Sequence, residues 1–199
     1  MEIIKTALDG VVIIRPRIFG DSRGYFFESF NLKEFTEQVL NRVYEPGQET
    51  LFVQDNESKS SYGVVRGLHF QKPPYAQAKL VRVVKGRVRD VAVDIRKGSP
   101  TYGKYVAVEL SGEKHEQLYI PRGFAHGFSV LSDEAILQYK CDNLYAPGSE
   151  GAIIWNDADL AIEWGVEPGN VILSEKDMKH PGLREFDSPF DFNEYSYLK

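Results

Sequence analysis

Cysteine and long apolar runs are both scarce in this 199-residue sequence, and each scarcity excludes a class of protein. The single cysteine, Cys141, cannot form a disulfide within the chain, which suits a reducing compartment. No apolar run approaches the roughly 20 residues that a membrane-spanning helix needs. The first residues, Met1–Lys5, lack the basic-then-apolar layout of a signal peptide. We therefore expect a soluble, cytoplasmic protein with no membrane partner.

An excess of basic charge is absent as well. The chain has 24 lysines and arginines against 29 aspartates and glutamates, which gives a net charge of −5. Nucleic acid is therefore not an expected partner, although this does not exclude a local cationic pocket for a phosphorylated ligand. We find no internal repeat, low-complexity segment or linker, so residues 1–199 are predicted to form one domain.

Several segments of the sequence show the alternating pattern that is typical of β-strands. Apolar residues alternate with other residues along 91–96 and 105–110, and a Gly-Ser-Pro turn lies between the two runs. A β-branched run closed by proline, Val11–Pro16, predicts an opening strand, and 118–130 and 136–141 predict further ones. Short strands divided by turn residues are typical of a sandwich or barrel. We predict an all-β fold, a double-stranded β-helix or jelly roll, with a few short helices.

One of those helices is predicted to begin after Asn31. Asn31 is followed three residues later by Glu34, the spacing of a helix cap with an acid in the first turn. Four apolar residues recur at helical spacing and are expected to face the core, namely Leu32, Phe35, Val39 and Leu40.

The chemistry of the sequence centres on the stretch from Arg66 to Lys79. His69 can accept a proton near neutral pH because the unperturbed pKa of histidine is about 6.5. Lys79 follows a Pro-Pro corner, and we expect it on the next strand of a hairpin, facing the same cavity as His69. Its ammonium can then hold the negative charge that a proton removal creates. The alternative for Lys79 is a solvated strand lysine.

Two residues far along the chain can assist His69. A carboxylate that fixes the tautomer of the imidazole would complete the base, and Asp177 is a candidate. The alternative is that Ser174 and Asp177, at their spacing, form a helix cap. Tyr139 can return a proton from the opposite face, because a phenol is a weak acid at neutral pH. A half-buried strand tyrosine is the alternative there.

Four polar residues nearer the N-terminus each have two interpretations. Arg23 and Glu28 are charges embedded among aromatic residues, and they are either solvated turn and strand residues or ligand contacts. Gln54 and Asn56 share one face if their strand continues, and their amides either bond a ligand or lie on the surface.

A metal site is not expected. The spacing of Pro121, Gly123 and His126 resembles the second motif of metal-binding cupins, whose first motif is His-x-His with a glutamate. Here His69 is followed by Phe and then by Gln71, where the second histidine should stand. Two imidazoles alone are a poor ligand set for zinc or iron. The remaining histidines, His115 and His180, lie in polar segments.

Seven motifs, in order along nearly the whole chain, resemble the dTDP-4-dehydrorhamnose 3,5-epimerase family. They are Gly20–Gly24, Arg66–Gln71, Gln77–Val81, Val91–Arg96, Pro121–Phe128, Gly151–Asp157 and Leu173–Asp177. The resemblance implies a cofactor-independent conversion of dTDP-4-dehydro-6-deoxy-D-glucose to dTDP-4-dehydro-L-rhamnose. It also implies a homodimer whose N-terminal strands are exchanged, so that Arg23 and Glu28 reach the neighbouring pocket, and a C-terminal part that packs on the jelly roll.

The resemblance further implies a role for each site residue. His69 paired with Asp177 is the base, Lys79 stabilises the enolate, and Tyr139 donates a proton on the other face. The positions that hold the nucleotide sugar are Arg23, Glu28, Gln54, Asn56, Arg66, His126, Glu150 and Lys176. Three alternatives remain: an epimerase acting at one carbon of a related sugar, a metal-dependent cupin enzyme, and a non-catalytic nucleotide-sugar binding module.

Overall fold

The computed structural model describes residues 1–41 and 51–196, and within them the chain is built mainly from β-strands. The strands are β1 (Glu2–Lys5), β2 (Val12–Arg15), β3 (Phe19–Asp21), β4 (Gly24–Phe26), β5 (Gln54–Ser61), β6 (Val65–Gln71), β7 (Lys79–Lys85), β8 (Arg87–Asp94), β9 (Arg96–Lys97), β10 (Tyr105–Ser111), β11 (Gln117–Ile120), β12 (Phe124–Val130), β13 (Glu134–Cys141), β14 (Glu150–Ala152) and β15 (Phe190–Asp191). A helix, α1 (Leu32–Phe35), continues as a π-helical turn over Thr36–Leu40, and 3₁₀ turns cover Pro147–Ser149 and Pro168–Asn170. No helix in the two described ranges is long and apolar enough to cross a bilayer.

Two antiparallel sheets form the body of the protein. The six-stranded sheet has the order β1-β2-β11-β7-β13-β5, and the five-stranded sheet has the order β10-β8-β12-β6-β14. One apolar core joins them, since Val81 and Leu137 of the first sheet share a cluster with Val88 and Phe128 of the second. This arrangement confirms the predicted all-β jelly roll. The predicted opening strand is present as β2, whereas β1 is an addition.

The predicted hairpin that joins His69 to Lys79 is wrong. β6, which carries His69, belongs to the five-stranded sheet, whereas β7, which begins at Lys79, belongs to the six-stranded sheet. The link between them, which contains the Pro-Pro corner, therefore runs from one sheet to the other. Period-two alternation identifies a strand but does not say which strand pairs with it. Lys79 consequently approaches the site from the sheet opposite to that of His69.

The predicted helix begins where the cap indicates, but its apolar face is shorter than expected. The Asn31 side chain accepts a hydrogen bond from the Glu34 backbone N–H at 3.2 Å, which confirms the cap. Phe35 is buried, as are Val39 and Leu40. Leu32 is 44% exposed, so its assignment to the core is wrong, because it lies in the first turn at the edge of the packed face.

A second apolar core covers the other face of the five-stranded sheet. Val91 and Val93 of β8 belong to a cluster with Ile153, Trp164 and Phe190 from the C-terminal part of the chain. The indole N–H of Trp164 donates to the Trp155 carbonyl at 2.9 Å, which satisfies its polar atom within that core. Because β8 is covered on both faces from Asp90 onward, residues 90–94 are all buried, whereas Arg87 at its start is exposed and Arg89 is half-buried.

A buried ion pair ties the end of β8 to the C-terminal segment. Asp94 and Arg96 are 0% and 1% exposed as side chains, and two guanidinium nitrogens donate to the carboxylate at 2.9 and 2.7 Å. Ser99 and Thr101 donate to the same carboxylate at 2.6 Å each. Arg96 also donates to the Tyr195 carbonyl at 2.8 Å. The paired charges are therefore compensated by hydrogen bonds, as a buried pair requires.

We expect Asp94→Ala to lower the free energy of unfolding by about 3–5 kcal/mol, because it leaves a buried guanidinium without the carboxylate that balances it. Urea unfolding of the purified variant measures this. The matched control is Asp187→Ala, which removes a carboxylate that is 91% exposed and paired with Lys97. That change should cost less than about 1 kcal/mol. Equal losses of unfolding free energy in the two variants would show that burial does not determine how much an ion pair contributes to stability.

Candidate active site

Two glycines let the strands that carry His69 and His126 approach closely. The φ of Gly67 is +124°, and a Cβ there would lie 2.5 Å from the Gly127 Cα. A Cβ on Gly127 would lie 2.6 Å from the Arg66 carbonyl oxygen. Only glycine fits both positions without a shift of the backbone. Two residues further along β6, His69 is the direct partner of His126 on β12.

His69 is hydrogen-bonded to Asp177, 108 residues further along the chain. The His69 Nε2 lies 2.6 Å from the Asp177 Oδ1, and the side chains are 42% and 5% exposed. The other carboxylate oxygen accepts a bond of 2.8 Å from the Ser174 hydroxyl, which itself accepts one from the Asp177 backbone N–H at 3.1 Å. The helix cap and the pairing with His69 do not exclude each other, because a cap-like turn at Ser174 presents the carboxylate that His69 contacts.

The ionisation of Asp177 decides which nitrogen of His69 is basic. Burial alone would raise the pKa of Asp177, but the hydrogen bond and charge of His69, with the Ser174 hydroxyl, outweigh it, and the pKa lies below its ordinary value. An ionised carboxylate can only accept, so the His69 Nε2 must donate. In the neutral ring the Nδ1 then keeps its lone pair and is the basic atom.

Lys79 and Tyr139 lie side by side in the opposite sheet. The Lys79 Nζ is 5.8 Å from the centre of the Tyr139 ring, and Cys141 is the direct partner of Lys79 on β13. Burial lowers the pKa of Lys79, against opposing contributions from Cys141 and Asp90. Burial raises the pKa of Tyr139, and that of the Cys141 thiol to about 11. Both hydroxyl and thiol are therefore neutral at pH 7, next to a desolvated amine.

These groups share a cavity of about 310 Å³ between the two sheets. It brings together six of the sequence-predicted residues, and Gln54 and Asn56 do share one face, with a hydrogen bond of 3.0 Å between their amides. The residues that line the cavity are Gln54, Asn56, His69, Phe70, Gln71, Gln77, Lys79, Tyr139, Cys141, Tyr145 and Glu150.

Sequence reasoning missed a second His–Asp pair next to this cavity. The His126 Nε2 lies 2.9 Å from the Asp90 Oδ1, with side chains 8% and 0% exposed. The Asp90 Oδ2 is buried and makes no hydrogen bond within the described residues. Asp90 alternates with Val91 and Val93, so the sequence pattern puts it on the opposite, polar face of β8, and the available signal was the apolar Val88 on that same face.

The remaining predicted binding residues divide into two groups. Arg66 is exposed on β6, with its Nε 3.2 Å from the Ser60 hydroxyl, and its charge acts on Tyr139. The Lys176 ammonium and the Glu150 carboxylate form an ion pair, and both residues line a neighbouring cavity that also contains His69. These three residues lie at the rim of the site, where a charged ligand group can reach them.

Arg23 and Glu28, in contrast, are not brought to the cavity of their own chain. Arg23 lies in the turn of the β3–β4 hairpin, its side chain 87% exposed and bonded to Asp21 at 2.6 Å. Glu28 accepts hydrogen bonds of 3.1 Å from Asn31 and lines a separate cavity beside α1.

The sequence pattern did not single out His180 as a site residue, because it lies in a polar segment. Its Nε2 is 3.7 Å from the Asp177 Oδ1, and its ring centre is 6.1 Å from that of His69. Within the described residues, His69, Asp177 and His180 form a group whose ligand atoms all lie within 4.8 Å of one another.

A β-sandwich cavity with an oriented imidazole on one wall and an ammonium on the other defines a protein equipped to move protons next to a carbonyl group. The family model described as dTDP-4-dehydrorhamnose 3,5-epimerase matches residues 5–185, and the chain belongs to this family.

Individual members of the family are close to the chain in sequence and in structure. The dTDP-4-dehydrorhamnose 3,5-epimerase of Shigella flexneri is 56% identical over 178 residues, 89% of this chain and 93% of its own length. The crystal structure of the enzyme from Elizabethkingia anophelis NUHP1 is 51% identical with a TM-score of 0.87, over 94% of this chain and 99% of that one. The structure of dTDP-6-deoxy-D-glucose-3,5-epimerase from Legionella pneumophila Philadelphia 1, in complex with dTDP-4-keto-L-rhamnose, is 49% identical with a TM-score of 0.86 and covers 94% of both chains.

We expect the pKa of His126 to lie below its ordinary value of 6.5, because burial disfavours the imidazolium more than Asp90 favours it. Asp90→Asn should lower that pKa further, since it removes the charge that stabilises the protonated ring. Imidazole resonances followed by NMR against pH measure both values, and His115, whose pKa is lowered by burial and by Arg82, serves as the internal reference. A rise in the His126 pKa on Asp90→Asn would contradict the assignment.

Proposed function

We propose that the chain catalyses epimerisation at C3 and C5 of dTDP-4-dehydro-6-deoxy-D-glucose, giving dTDP-4-dehydro-L-rhamnose on the route to dTDP-L-rhamnose. The observation that carries this proposal is the imidazole of His69, which is held by Asp177 and lines one cavity with Lys79, in a member of this family. The 3,5-epimerase of Shigella flexneri and the sugar nucleotide bound by the Legionella pneumophila protein support the choice of substrate.

His69 and Lys79 account for the removal of the proton. A ketone at C4 acidifies the hydrogens on C3 and C5, because either carbanion delocalises onto the same oxygen. The His69 Nδ1 takes the proton, and the electron pair of the broken C–H bond moves to the C4 oxygen as an enolate. The Lys79 ammonium stabilises that oxygen in a partly dry cavity, where a charge interaction is stronger than in water.

Tyr139 is suited to return a proton from the opposite side. Its phenol is protonated at neutral pH, since burial raises its pKa. It comes from the six-stranded sheet, opposite to the strand that carries His69. A proton delivered to the face opposite the one that lost it inverts the carbon. One base and one donor can serve both carbons if His69 gives its proton to solvent, Tyr139 regains one from solvent, and the ring readjusts between the two steps.

We assign binding of the nucleotide sugar to the residues around the cavity. The amides of Gln54 and Asn56 offer hydrogen bonds to sugar or base, and Arg66 and Lys176 offer cations to the diphosphate. His126, held by Asp90, and Glu150, next to Lys176, complete the set. The reaction exchanges protons without net oxidation, so it needs no redox cofactor. We also infer that the protein works in the cytoplasm, which its lone buried cysteine suits.

We further propose that the protein acts as a homodimer that exchanges its N-terminal hairpin. Three aromatic side chains of β3 and β4 are exposed, with Phe19 at 51%, Tyr25 at 62% and Phe26 at 70%. Exposed aromatic residues grouped on one projecting hairpin are typical of a surface that packs against another chain. The exchange would bring Arg23 and Glu28, which lie away from their own cavity, to that of the partner.

We expect the purified protein, supplied with the keto sugar in heavy water, to incorporate deuterium at both C3 and C5, as mass spectrometry and NMR of the product would show. His69→Ala and Lys79→Ala should each slow exchange by roughly 10²–10⁴-fold, because a positioned base or an oxyanion cation is lost. Label at one carbon only would contradict the double epimerisation, and tight binding without any exchange would favour a binding module.

Two variants control for the substitutions themselves. Lys85→Ala removes another lysine of β7, one that is paired with Glu134 at the surface. Lys97→Ala removes a lysine that lies outside the cavity and is paired with the exposed Asp187. Both should exchange label at close to the parent rate. If either control lost as much activity as the cavity variants, the assigned roles would not stand.

Complementation between two impaired variants tests the exchanged hairpin. Arg23→Ala alone should lower kcat/KM roughly tenfold to a hundredfold, because a charge-assisted hydrogen bond is lost. If Arg23 serves the partner, an Arg23→Ala subunit paired with a His69→Ala subunit contains one complete pocket. Random mixing should then recover about a quarter of the parent activity, because half of the dimers are mixed. No recovery, with mixed dimers verified, would show that Arg23 does not act across the interface.

A further inference from the structure

We propose that His69, Asp177 and His180 form a binding site for a transition-metal ion such as Zn²⁺, and that an ion bound there inhibits the protein. The Nε2 of each histidine faces the Asp177 Oδ1, at 2.6 Å for His69 and 3.7 Å for His180, and one ligand atom from each of the three residues lies within 4.8 Å of the others. The inhibition rests on the proposed function, whereas the binding does not.

The spacing of the ligand atoms suits a tetrahedral ion. At bond lengths of about 2.0–2.1 Å, ligand atoms around tetrahedral zinc lie roughly 3.3 Å apart. Here one pair is separated by 2.6 Å and another by 3.7 Å, and all three atoms lie within 4.8 Å. These separations bracket the required value, so side-chain movements of about an ångström form the site.

His180 is the member of the group whose buried ring nitrogen the surrounding residues leave without a hydrogen bond. Its Nε2 is buried and has no hydrogen-bond partner among the described residues. The nearest carboxylate oxygen, on Asp177, is 3.7 Å away, which is too far for a hydrogen bond. A buried polar atom without a partner costs free energy that a bound ion would offset.

The donor set selects the kind of ion. Two imidazoles and one carboxylate suit Zn²⁺, Co²⁺ and Ni²⁺, whereas Mg²⁺ and Ca²⁺ prefer sites made of oxygen alone. An ion can reach the group through a cavity of about 320 Å³ that His69 and His180 line together with Lys176 and Glu150. The charge of Lys176 in that cavity is balanced by its ion pair with Glu150, so it does not by itself repel a cation.

Metal binding would remove the base by changing the tautomer of His69. Coordination through Nε2 displaces the proton that this nitrogen shares with Asp177. A neutral ring bound through Nε2 carries its proton on Nδ1, so the lone pair that accepts the substrate proton is gone. The ring keeps its single proton, which moves from Nε2 to Nδ1, so binding to a neutral His69 and an ionised Asp177 releases no net proton. The ion would also occupy the carboxylate that holds the imidazole in place.

Titration of the untagged, full-length protein with Co²⁺ tests the site directly, because tetrahedral cobalt has visible absorption bands that Zn²⁺ would abolish on displacement. We expect one ion per chain in the parent protein and in His115→Gln, the matched control. His180→Gln should weaken binding by about tenfold or more, since a ligand is lost. Absence of binding in the parent, or equal binding in His180→Gln, would overturn the site.

An activity measurement separates the inhibition from the binding. Zn²⁺ should slow turnover of the parent reversibly with a chelator, and Mg²⁺ should not. His180→Gln, compared with its own metal-free rate, should need about tenfold more Zn²⁺ for the same loss. Occupancy by cobalt without loss of turnover would overturn the inhibition alone. A metal-free parent protein without turnover would refute the proposed function while leaving the cobalt result intact.

Discussion

The hydrogen bond between the His69 imidazole and the Asp177 carboxylate is the interaction on which the candidate site depends. It joins the five-stranded sheet to a turn in the C-terminal part of the chain, across 108 residues of sequence. Burying an ionised carboxylate is costly unless it is paired, and this one is held by the imidazole and by Ser174. The second apolar core packs the C-terminal part on the outer face of that sheet, so the position of Asp177 depends on packing far from the chemistry.

The second constraint is the separation of the two sheets. His69 belongs to one sheet, and Lys79 and Tyr139 belong to the other, so the shared core that holds the sheets together also positions the base relative to the cation. The desolvated Lys79 ammonium lies next to neutral Tyr139 and Cys141, and the charge of Asp90 offsets its burial only in part, so it is held ready for the negative charge of an enolate. Such preorganisation is what stabilisation of an enolate requires.

Much of the fold and part of the site could be predicted from sequence, for physical reasons that the residues make plain. Alternation reflects burial on one face, so it identified most of the strands, and the Asn31 cap is a local contact three residues long. Pairing between strands is not local, which is why Lys79 was assigned to the wrong sheet. The Asp90–His126 pair and the approach of His180 to His69 depend on contacts between distant segments, which no spacing encodes. Arg23 and Glu28 lie away from the cavity of their own chain, and the sequence of one chain does not say which residues a partner would contact.

The tautomer of His69 is the most direct test of the central claim. Nitrogen-15 chemical shifts of the imidazole, measured near pH 8 in the parent protein and in Asp177→Asn, report which ring nitrogen carries the proton. An ionised Asp177 that accepts from Nε2 requires the proton on Nε2 in the parent and a loss of that preference in the variant. A proton on Nδ1 in the parent, or an unchanged tautomer in Asp177→Asn, would contradict the account.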